Sequence, residues 1–160
     1  GVCPWRGRRV LELGSGTGIG GLAAAAAGAE VLLTDREPLL PLLRLNGALN
    51  AALLASAGGS TSCAVVEWSL PIPTDVLSVC WDVVLASDAV YSFASAGPFA
   101  SALGTILKSA RSDCSALYAH NPRSELLDAE MHAAFASNGL TAESLPIPPT
   151  LSTVGNVNAA

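Results

Sequence analysis

The sequence predicts an α/β fold, in which a mainly parallel β-sheet is covered by helices on both faces. Short apolar runs rich in β-branched residues alternate with longer apolar segments at helical spacing along the chain. Several of these short runs are apolar throughout, which is typical of strands buried on both faces. No internal repeat or linker interrupts the alternation. We therefore predict one domain over residues 1–149, followed by an irregular polar tail over residues 150–160.

The first elements predict one strand–helix–strand unit. Residues 10–13 form a short apolar run that ends at a cluster of glycines. Residues 19–28 are rich in alanine and end at Gly28, as a helix often does. Residues 30–34 form a second short strand, which Asp35 follows at once. Strand, glycine turn, helix, strand and acid together make one βαβ unit.

The later elements keep the same alternation. Residues 38–57 carry leucines at helical spacing, with Pro38 in the first turn, where proline is favoured. The further predicted strands are 63–67, 82–86 and 114–119, the further predicted helices are 95–109 and 124–138, and a proline-rich connector spans 70–79. Strands separated by helices or long connectors can pair in parallel, because a parallel pair needs a crossover connection.

The composition predicts a substantial core and argues against several classes of protein. Hydrophobic residues make up 51% of the 160 residues and charged residues 13%, so the chain is not disordered as a whole. Thirteen acidic against eight basic residues give a net charge of −5 and leave no basic patch for a nucleic-acid backbone. We expect no transmembrane helix, because no apolar run of about 20 residues is continuous. We expect no signal peptide, because the first residues show no basic region followed by an apolar stretch and a cleavage site.

The four cysteines, Cys3, Cys63, Cys80 and Cys114, are far apart in the sequence and form no Cys-x-x-Cys pair. This spacing is typical neither of a metal site nor of a disulfide framework. We therefore expect no bound metal, buried free thiols, and a reducing compartment such as the cytoplasm.

The glycine-rich turn after the first strand predicts a ligand site, because a ligand can lie against bare backbone there and face helix N–H groups. Residues 16–21 fit the dinucleotide string G-x-G-x-x-G, whereas residues 12–18 fit an acid, one residue and G-x-G-x-G, the string of S-adenosylmethionine (SAM) enzymes. Counting from Gly14, the glycine nearest the strand, Ile19 stands where the dinucleotide pattern needs Gly or Ala. The SAM register fits better, and an NAD-dependent oxidoreductase is the distant alternative.

Asp35 stands at the tip of the second strand, where a carboxylate accepts both ribose hydroxyls in either cofactor class. An Asp after a strand also commonly caps a helix, and Glu37 and Pro38 fit such a cap. Asp35 therefore supports a nucleoside-containing cofactor without deciding between SAM and NAD.

Several motifs taken together resemble one family. The set comprises residues 10–18, Asp35 within 33–37, Asn46 and Asn50 in the next helix, Trp68 after the third strand, and residues 82–91. It closely resembles the family 16 seven-β-strand protein-lysine methyltransferases, the group that contains the valosin-containing-protein and elongation-factor lysine methyltransferases. The resemblance runs from about Gly7 to about Ala119 and implies a Rossmann-like seven-strand sheet, whose last strands residues 140–160 match poorly.

The resemblance also implies a set of residues that bind SAM. They are Glu12, Gly14, Ser15, Gly16, Gly18, Asp35, Glu67, Trp68 and Ser87. Within this set Asp35 would bind the ribose hydroxyls, Trp68 would pack on the adenine, and Ser87 would line the pocket floor. The family commonly has Asp before this tryptophan, whereas this chain has Glu67, which is one methylene longer.

Asp88 and Tyr91 match the family's Asp-x-x-Tyr motif beside the transferred methyl group, which implies that both are catalytic. Methyl transfer to lysine needs alignment and a neutral amine, and a free lysine has a pKa of about 10.4. Asp88 would orient the ammonium group, and Tyr91 would restrict its approach. The expected function is methylation of a lysine in a protein by SAM. The alternatives are SAM-dependent methylation of histidine or a small amine, and a catalytically impaired SAM-binding fragment.

Overall fold

A computed structural model describes residues 4–122 and 124–146 and shows a five-stranded parallel sheet with helices packed on it. The strands are β1 (Arg9–Leu13), β2 (Glu30–Asp35), β3 (Ser60–Val65), β4 (Val83–Ser87) and β5 (Ser115–Ala119). The helices are α1 (Ile19–Ala26), α2 (Leu40–Ser56), α3 (Thr74–Leu77), α4 (Phe93–Ser109) and α5 (Glu125–Ser137), and a 3₁₀ turn at Glu37–Leu39 precedes α2. The predicted fold class is confirmed, while the predicted tail at 150–160 lies outside the described residues.

The order of the strands in the sheet is β3-β2-β1-β4-β5, and every neighbouring pair is parallel. After β1 the chain moves to β2 and β3 on one side, and later returns to β4 and β5 on the other. In open parallel sheets, ligands bind beyond the carboxyl ends of the strands at the point where this direction reverses. The glycine turn after β1 and the loop after β4 both start at that point.

Hydrophobic cores lie on both faces of the sheet. The larger core includes Phe99 of α4, which is fully buried and contacts the rings of Trp68 and Tyr118. The smaller core lies under α1 and α2, where alanine side chains let α1 approach the sheet closely. Val10 and Leu11, adjacent on β1, belong to different cores because successive side chains of a strand point to opposite faces.

The third strand starts earlier than the sequence predicts. It spans Ser60–Val65 rather than residues 63–67, and its register with β2 begins at the pair Ser60 and Glu30. β3 is an edge strand and is only partly buried, so its polar first residues remain in contact with solvent. A run of serine and threonine is typical of a loop by composition, but pairing with β2 places it in the sheet.

Two other boundaries depend on local hydrogen bonds. The predicted connector 70–79 contains the short helix α3, Thr74–Leu77. α4 begins at Phe93 rather than at residue 95, because Ser92 and Ser95 form a reciprocal capping box at its start.

Helix α2 has a buried face and an exposed apolar face. Leu43 and Leu54 are buried, whereas the large apolar side chains on its exposed side are Leu42, Leu45, Leu49 and Leu53. The segment Glu37–Ala57 has a mean hydropathy of 1.3 and is long and apolar enough, by length and composition, to cross a membrane. A helix that packs on a sheet can pass the same test, so the expectation of no transmembrane helix stays a prediction. In the structure α2 is an outer layer of the α/β fold.

The cysteines are less buried than the sequence predicts. Cys63 and Cys114 are half-buried free thiols, and burial raises the pKa of each. Cys80 is exposed, so the prediction of a buried thiol is wrong there. The reason is local, because the adjacent Trp81 takes the inward position before β4 and is buried. Cys3 lies outside the described residues.

Candidate functional site

A cleft of about 560 Å³ opens where the strand order reverses, and its volume is typical of small-molecule sites. Its walls come from the turn after β1, the tip of β2, the segment after β3, the loop after β4 and the first turns of α4. The residues predicted from the sequence that line it are Glu12, Gly14, Ser15, Gly16, Asp35, Glu67, Trp68, Ser87, Asp88 and Tyr91. The structure therefore brings almost the whole predicted set into one place.

The turn after β1 depends on glycines in the left-handed region. Gly14, Gly16 and Gly18 have φ angles of +73°, +56° and +81°, which residues with a side chain rarely adopt. A Cβ on Gly14 would lie 2.7 Å from the ring of Trp68, so this backbone and the indole are in close contact. A Cβ on Gly16 would meet nothing within 4 Å, so the turn is open beside it.

Gly18 is a predicted site residue that does not line the cleft. A Cβ there would lie 3.0 Å from the side chain of Leu43 and 3.2 Å from that of Leu33. Gly18 also directly precedes α1 as its N-cap residue. Its observed role is to let α1 start close to the sheet, and its contact with a cofactor stays a prediction.

Glu12 is buried beneath the start of α1, with 2% of its surface exposed. Its Oε1 accepts a hydrogen bond of 3.0 Å from the N–H of Gly21, while its Oε2 has no hydrogen-bond partner within the described part of the chain. The carboxyl group fits only because Gly20 has no side chain, since a Cβ there would lie 2.5 Å from Oε1. Burial raises the pKa of Glu12, and the N–H of Gly21 offsets part of that rise.

The raised pKa of Glu12 predicts a pH-dependent stability. Because the folded state holds this proton to a higher pH than the unfolded state, the stabilising contribution is complete below the unfolded glutamate pKa of about 4.3. It is lost as the pH rises through the folded-state pKa. Glu12→Gln has no such proton. As the pH rises, its free energy of unfolding is therefore expected to fall less than that of the wild type. Each unit of pKa difference corresponds to about 1.4 kcal/mol.

Urea unfolding at a series of pH values measures this effect. The control is Glu30→Gln, which changes an exposed carboxylate at the start of β2 and is expected to run parallel to the wild type. A constant difference between Glu12→Gln and the wild type across the series would contradict the prediction.

Asp35 is held at the end of β2 by two backbone donors. Its Oδ2 accepts from the N–H of Gly16 at 2.8 Å, and its Oδ1 accepts from the N–H of Arg36 at 2.7 Å. A carboxylate can accept about four hydrogen bonds, so both oxygens keep the capacity to accept from a ligand hydroxyl. The bond to Gly16 also ties the glycine turn to the tip of the neighbouring strand.

The hydroxyl of Ser15 is used inside the protein. It donates to the carbonyl of Glu12 at 3.2 Å and accepts from the N–H of Thr34 at 3.0 Å. The hydroxyl of Thr34 donates to the same carbonyl at 2.6 Å. These bonds fix the base of the turn between β1 and β2. The cofactor contact predicted for Ser15 stays a prediction.

The segment after β3 forms the aromatic side of the cleft. The half-buried ring of Trp68 packs edge-on against Phe99, with centroids 5.1 Å apart and planes at 66°. Glu67 lies beside it in the lining, and Ser87 adds an exposed hydroxyl at the end of β4. An aromatic wall next to a carboxylate is suited to a heterocyclic base, because the ring can stack and the carboxylate can accept from an amino group.

The loop formed by residues 88–91 carries both predicted catalytic side chains. Asp88 has a φ of +48°, a left-handed conformation that Asp tolerates better than most residues. Its backbone N–H donates to the carbonyl of Ala119 at 2.8 Å, which connects the loop to β5. Tyr91 is 60% exposed and lies at the edge of the cleft. Strained backbone next to a cleft is typical of active sites.

The sequence analysis missed some residues of the cleft. Ala94, Ser95 and Pro98 of α4 also line it, as does Arg36 beside Asp35. Arg36 could have been found from its neighbour, but only the packing of α4 brings its first turns to the cleft. A second groove of about 340 Å³ between α2 and β3 contains none of the predicted site residues. Over residues 4–122 and 124–146 no group of three or more His, Cys, Asp or Glu side chains could hold a metal ion.

Comparison with known proteins connects this site to one family. Residues 4–134 match the family described as lysine methyltransferase. The chain is 36% identical over 87 residues to protein-lysine N-methyltransferase rrg1 of Schizosaccharomyces pombe. This alignment covers 51% of the chain and 28% of that protein. The chain is 36% identical over 87 residues to EEF1A lysine methyltransferase 3 of Mus musculus, covering 54% and 35% respectively. It is 56% identical over 41 residues to protein N-lysine methyltransferase METTL21A of Danio rerio, covering 26% and 19%.

These matches leave most of each relative's length uncovered, since they span about a third of it or less. Solved structures show the fold. The S-adenosylmethionine-dependent methyltransferase SibL aligns with a TM-score of 0.60 at 17% identity, covering 90% of this chain and 47% of that one. A SAM-dependent methyltransferase from Agrobacterium tumefaciens aligns with a TM-score of 0.54 at 18% identity, covering 84% and 45%.

Proposed function

Because this chain belongs to the lysine methyltransferase family, we propose that the protein transfers a methyl group from SAM to a lysine side chain of a protein substrate. The family predicted from the motifs is confirmed by the match over residues 4–134. The observation that carries the proposal is the cleft at the reversal point of the sheet. It gathers the glycine turn, Asp35, Trp68 and the pair Asp88 and Tyr91, which come from four separate stretches of the sequence.

The residues of the cleft fit SAM. The open backbone beside Gly16 suits the cationic methionine part, and so does the buried Oε2 of Glu12, which has no hydrogen-bond partner among residues 4–122 and 124–146. The spare lone pairs of Asp35 suit two ribose hydroxyls, and the ring of Trp68 suits the adenine. When bound, SAM supplies a methyl group carried on a positively charged sulfur.

The chain's own residues would prepare the acceptor amine. The carboxylate of Asp88 attracts and orients the lysine ammonium at the edge of the cleft, and Tyr91 limits its approach and hydrogen-bonds it. Ala89, Ala94 and Pro98 contribute apolar surface beside this pair. Burial against such surface lowers the pKa of an amine, because the charged form loses hydration. A larger fraction of the amine would therefore be neutral, with its proton released to solvent, before it attacks the methyl group.

The proposal extends to the partner and the compartment. A protein substrate, rather than nucleic acid, is supported by the net charge of −5. A reducing compartment such as the cytoplasm is supported by Cys63, Cys80 and Cys114, which are free thiols.

Calorimetric titration with S-adenosylhomocysteine, run beside NAD on the same preparation, tests the cofactor. We expect saturable binding of S-adenosylhomocysteine and none of NAD. Binding of NAD alone would overturn the choice of glycine register. Binding of neither by a folded sample would overturn the proposal for this stretch of chain.

Substitution of Asp88 and Tyr91 tests the chemistry. Asp88→Asn removes the charge but keeps a residue type that tolerates a positive φ, so it is expected to lower methyl transfer by about 10²-fold or more. Tyr91→Phe is expected to lower it by about tenfold, the value of one hydrogen bond. Transfer of labelled methyl from SAM to the protein fraction of a cell extract measures both effects. Unchanged affinity for S-adenosylhomocysteine is the control, and full transfer by both variants would contradict the assigned roles.

A further inference from the structure

We propose that Tyr118, His120 and Asp128 are positioning residues, which hold the 88–91 loop in its active conformation through an oriented chain of hydrogen bonds. The inference rests on the proposed function, because the loop matters through Asp88 and Tyr91. None of the three side chains is in the lining of the cleft. They act through the backbone of the loop.

The three side chains form a continuous path from α5 to the loop. The N–H of Val90 donates to the Oη of Tyr118 at 3.2 Å, and this Oη lies 3.1 Å from Nδ1 of His120. Nε2 of His120 lies 2.8 Å from Oδ1 of Asp128. The rings of Tyr118 and His120 also stack, with centroids 5.5 Å apart and planes at 29°.

A backbone N–H can only donate, so the Oη of Tyr118 accepts from Val90, and its own proton can be donated to Nδ1 of His120. In the tautomer that accepts this proton, the N–H of His120 is on Nε2 and donates to the carboxylate of Asp128. Each bond polarises the next, so the charge of Asp128 strengthens the contact at the far end.

The loop needs external support. Asp88 adopts a φ of +48°, which persists only where the surroundings hold it. Its N–H is held by the carbonyl of Ala119, and two residues further on the N–H of Val90 is held by Tyr118. Two groups at the end of β5 therefore hold the loop, one on each side of Ala89: the carbonyl of Ala119 and the hydroxyl of Tyr118. Because Tyr91 follows Val90 directly, a shift at Val90 moves the second catalytic side chain.

The hydroxyl of Tyr118 can be removed without removing its packing. The ring lies 5.3 Å from that of Phe99 and 6.2 Å from that of Phe135 between centroids, so it is part of the larger core. Tyr118→Phe keeps these contacts and deletes the hydroxyl, together with its hydrogen bonds to the N–H of Val90 and to Nδ1 of His120. Asp128→Asn keeps the shape at the other end and removes the charge.

The experiment measures hydrogen exchange of the Val90 amide together with methyl transfer and S-adenosylhomocysteine affinity. Tyr118→Phe is expected to speed Val90 exchange and lower methyl transfer, each by about tenfold, while affinity stays within about twofold. Asp128→Asn is expected to produce a smaller change of the same kind, and Asp128→Glu to restore part of it. The exchange of Leu33 in the core reports global stability and is expected not to change.

His120→Ala breaks the hydrogen-bonded path in its middle and is expected to speed Val90 exchange, and His132→Ala is its matched control. The ring of His120 lies against that of Tyr118, and the ring of His132 lies against that of Phe135. His132 is exposed and takes no part in the hydrogen-bonded path. Unchanged Val90 exchange in Tyr118→Phe, or equal acceleration at Leu33, would overturn the inference. A wild-type protein without methyl transfer would instead overturn the proposed function, and Val90 exchange would still decide whether the three residues hold the loop.

Discussion

Replacing Asp35 with alanine is expected to weaken S-adenosylhomocysteine binding by about 100-fold or more. Hydrogen bonds to a charged group are worth about 1.5–3 kcal/mol each, and about 1.4 kcal/mol corresponds to a tenfold change in affinity. The variant also loses the acceptor that holds the N–H of Gly16 at 2.8 Å, so the glycine turn loses its tie to β2. Calorimetric titration measures the loss.

Two further measurements separate ribose binding from support of the turn. Asp35→Asn keeps an oxygen that can accept from Gly16 but lacks the charge, so its affinity is expected to lie between those of the wild type and Asp35→Ala. A 2′-deoxy analogue of S-adenosylhomocysteine is expected to bind the wild type more weakly than S-adenosylhomocysteine does. On Asp35→Ala the two ligands are expected to bind with nearly the same affinity, because the partner of the missing hydroxyl is already gone. Equal losses with both proteins would show that Asp35 does not contact this hydroxyl. Glu37→Ala, at an exposed carboxylate outside the cleft, is the control for net charge.

Gly59→Ala is expected to cause the largest loss of stability, at least about 3 kcal/mol, which is the upper end of the usual cost of overpacking. A Cβ at this position would overlap the carbonyl oxygen of Ala25 and lie 2.9 Å from that of Ala29. Both neighbours are backbone atoms, Ala25 in the last turn of α1 and Ala29 in the α1–β2 connection, and they cannot rotate away as a side chain can. Urea unfolding measures the change in the free energy of unfolding.

The matched control is Gly97→Ala, near the start of α4 and directly before Pro98. A Cβ there would meet nothing within 4 Å, and alanine favours a helix over glycine by about 0.5–1 kcal/mol. Because a residue that carries a Cβ disfavours the helical conformation directly before a proline, the two effects offset each other, and Gly97→Ala is expected to change the free energy of unfolding by less than about 1 kcal/mol. Similar unfolding curves for Gly59→Ala and the wild type would show that the connection can move aside.

The fold was largely predictable because periodicity encodes which faces of each element are buried. β1, β2, β4 and β5 lie close to their predicted positions, since each is a short apolar run between breaks. The edge strand β3 was shifted, because a partly exposed strand does not need an apolar pattern. The exposure of Cys80 could not be predicted from the sequence either, since it depends on whether Cys80 or Trp81 points into the core.

The residues of the site divide in the same way. By itself the sequence determined the alternation of strands and helices, the glycine turn and the position of the acids at strand ends. These follow from short-range chemistry, such as the lack of a Cβ at Gly14 and Gly16. Only the tertiary structure decided the bond between Asp35 and Gly16, the wall formed by α4, and the path from Asp128 to Val90. Such contacts join residues far apart in the chain, and their geometry is set by how the helices pack on the sheet.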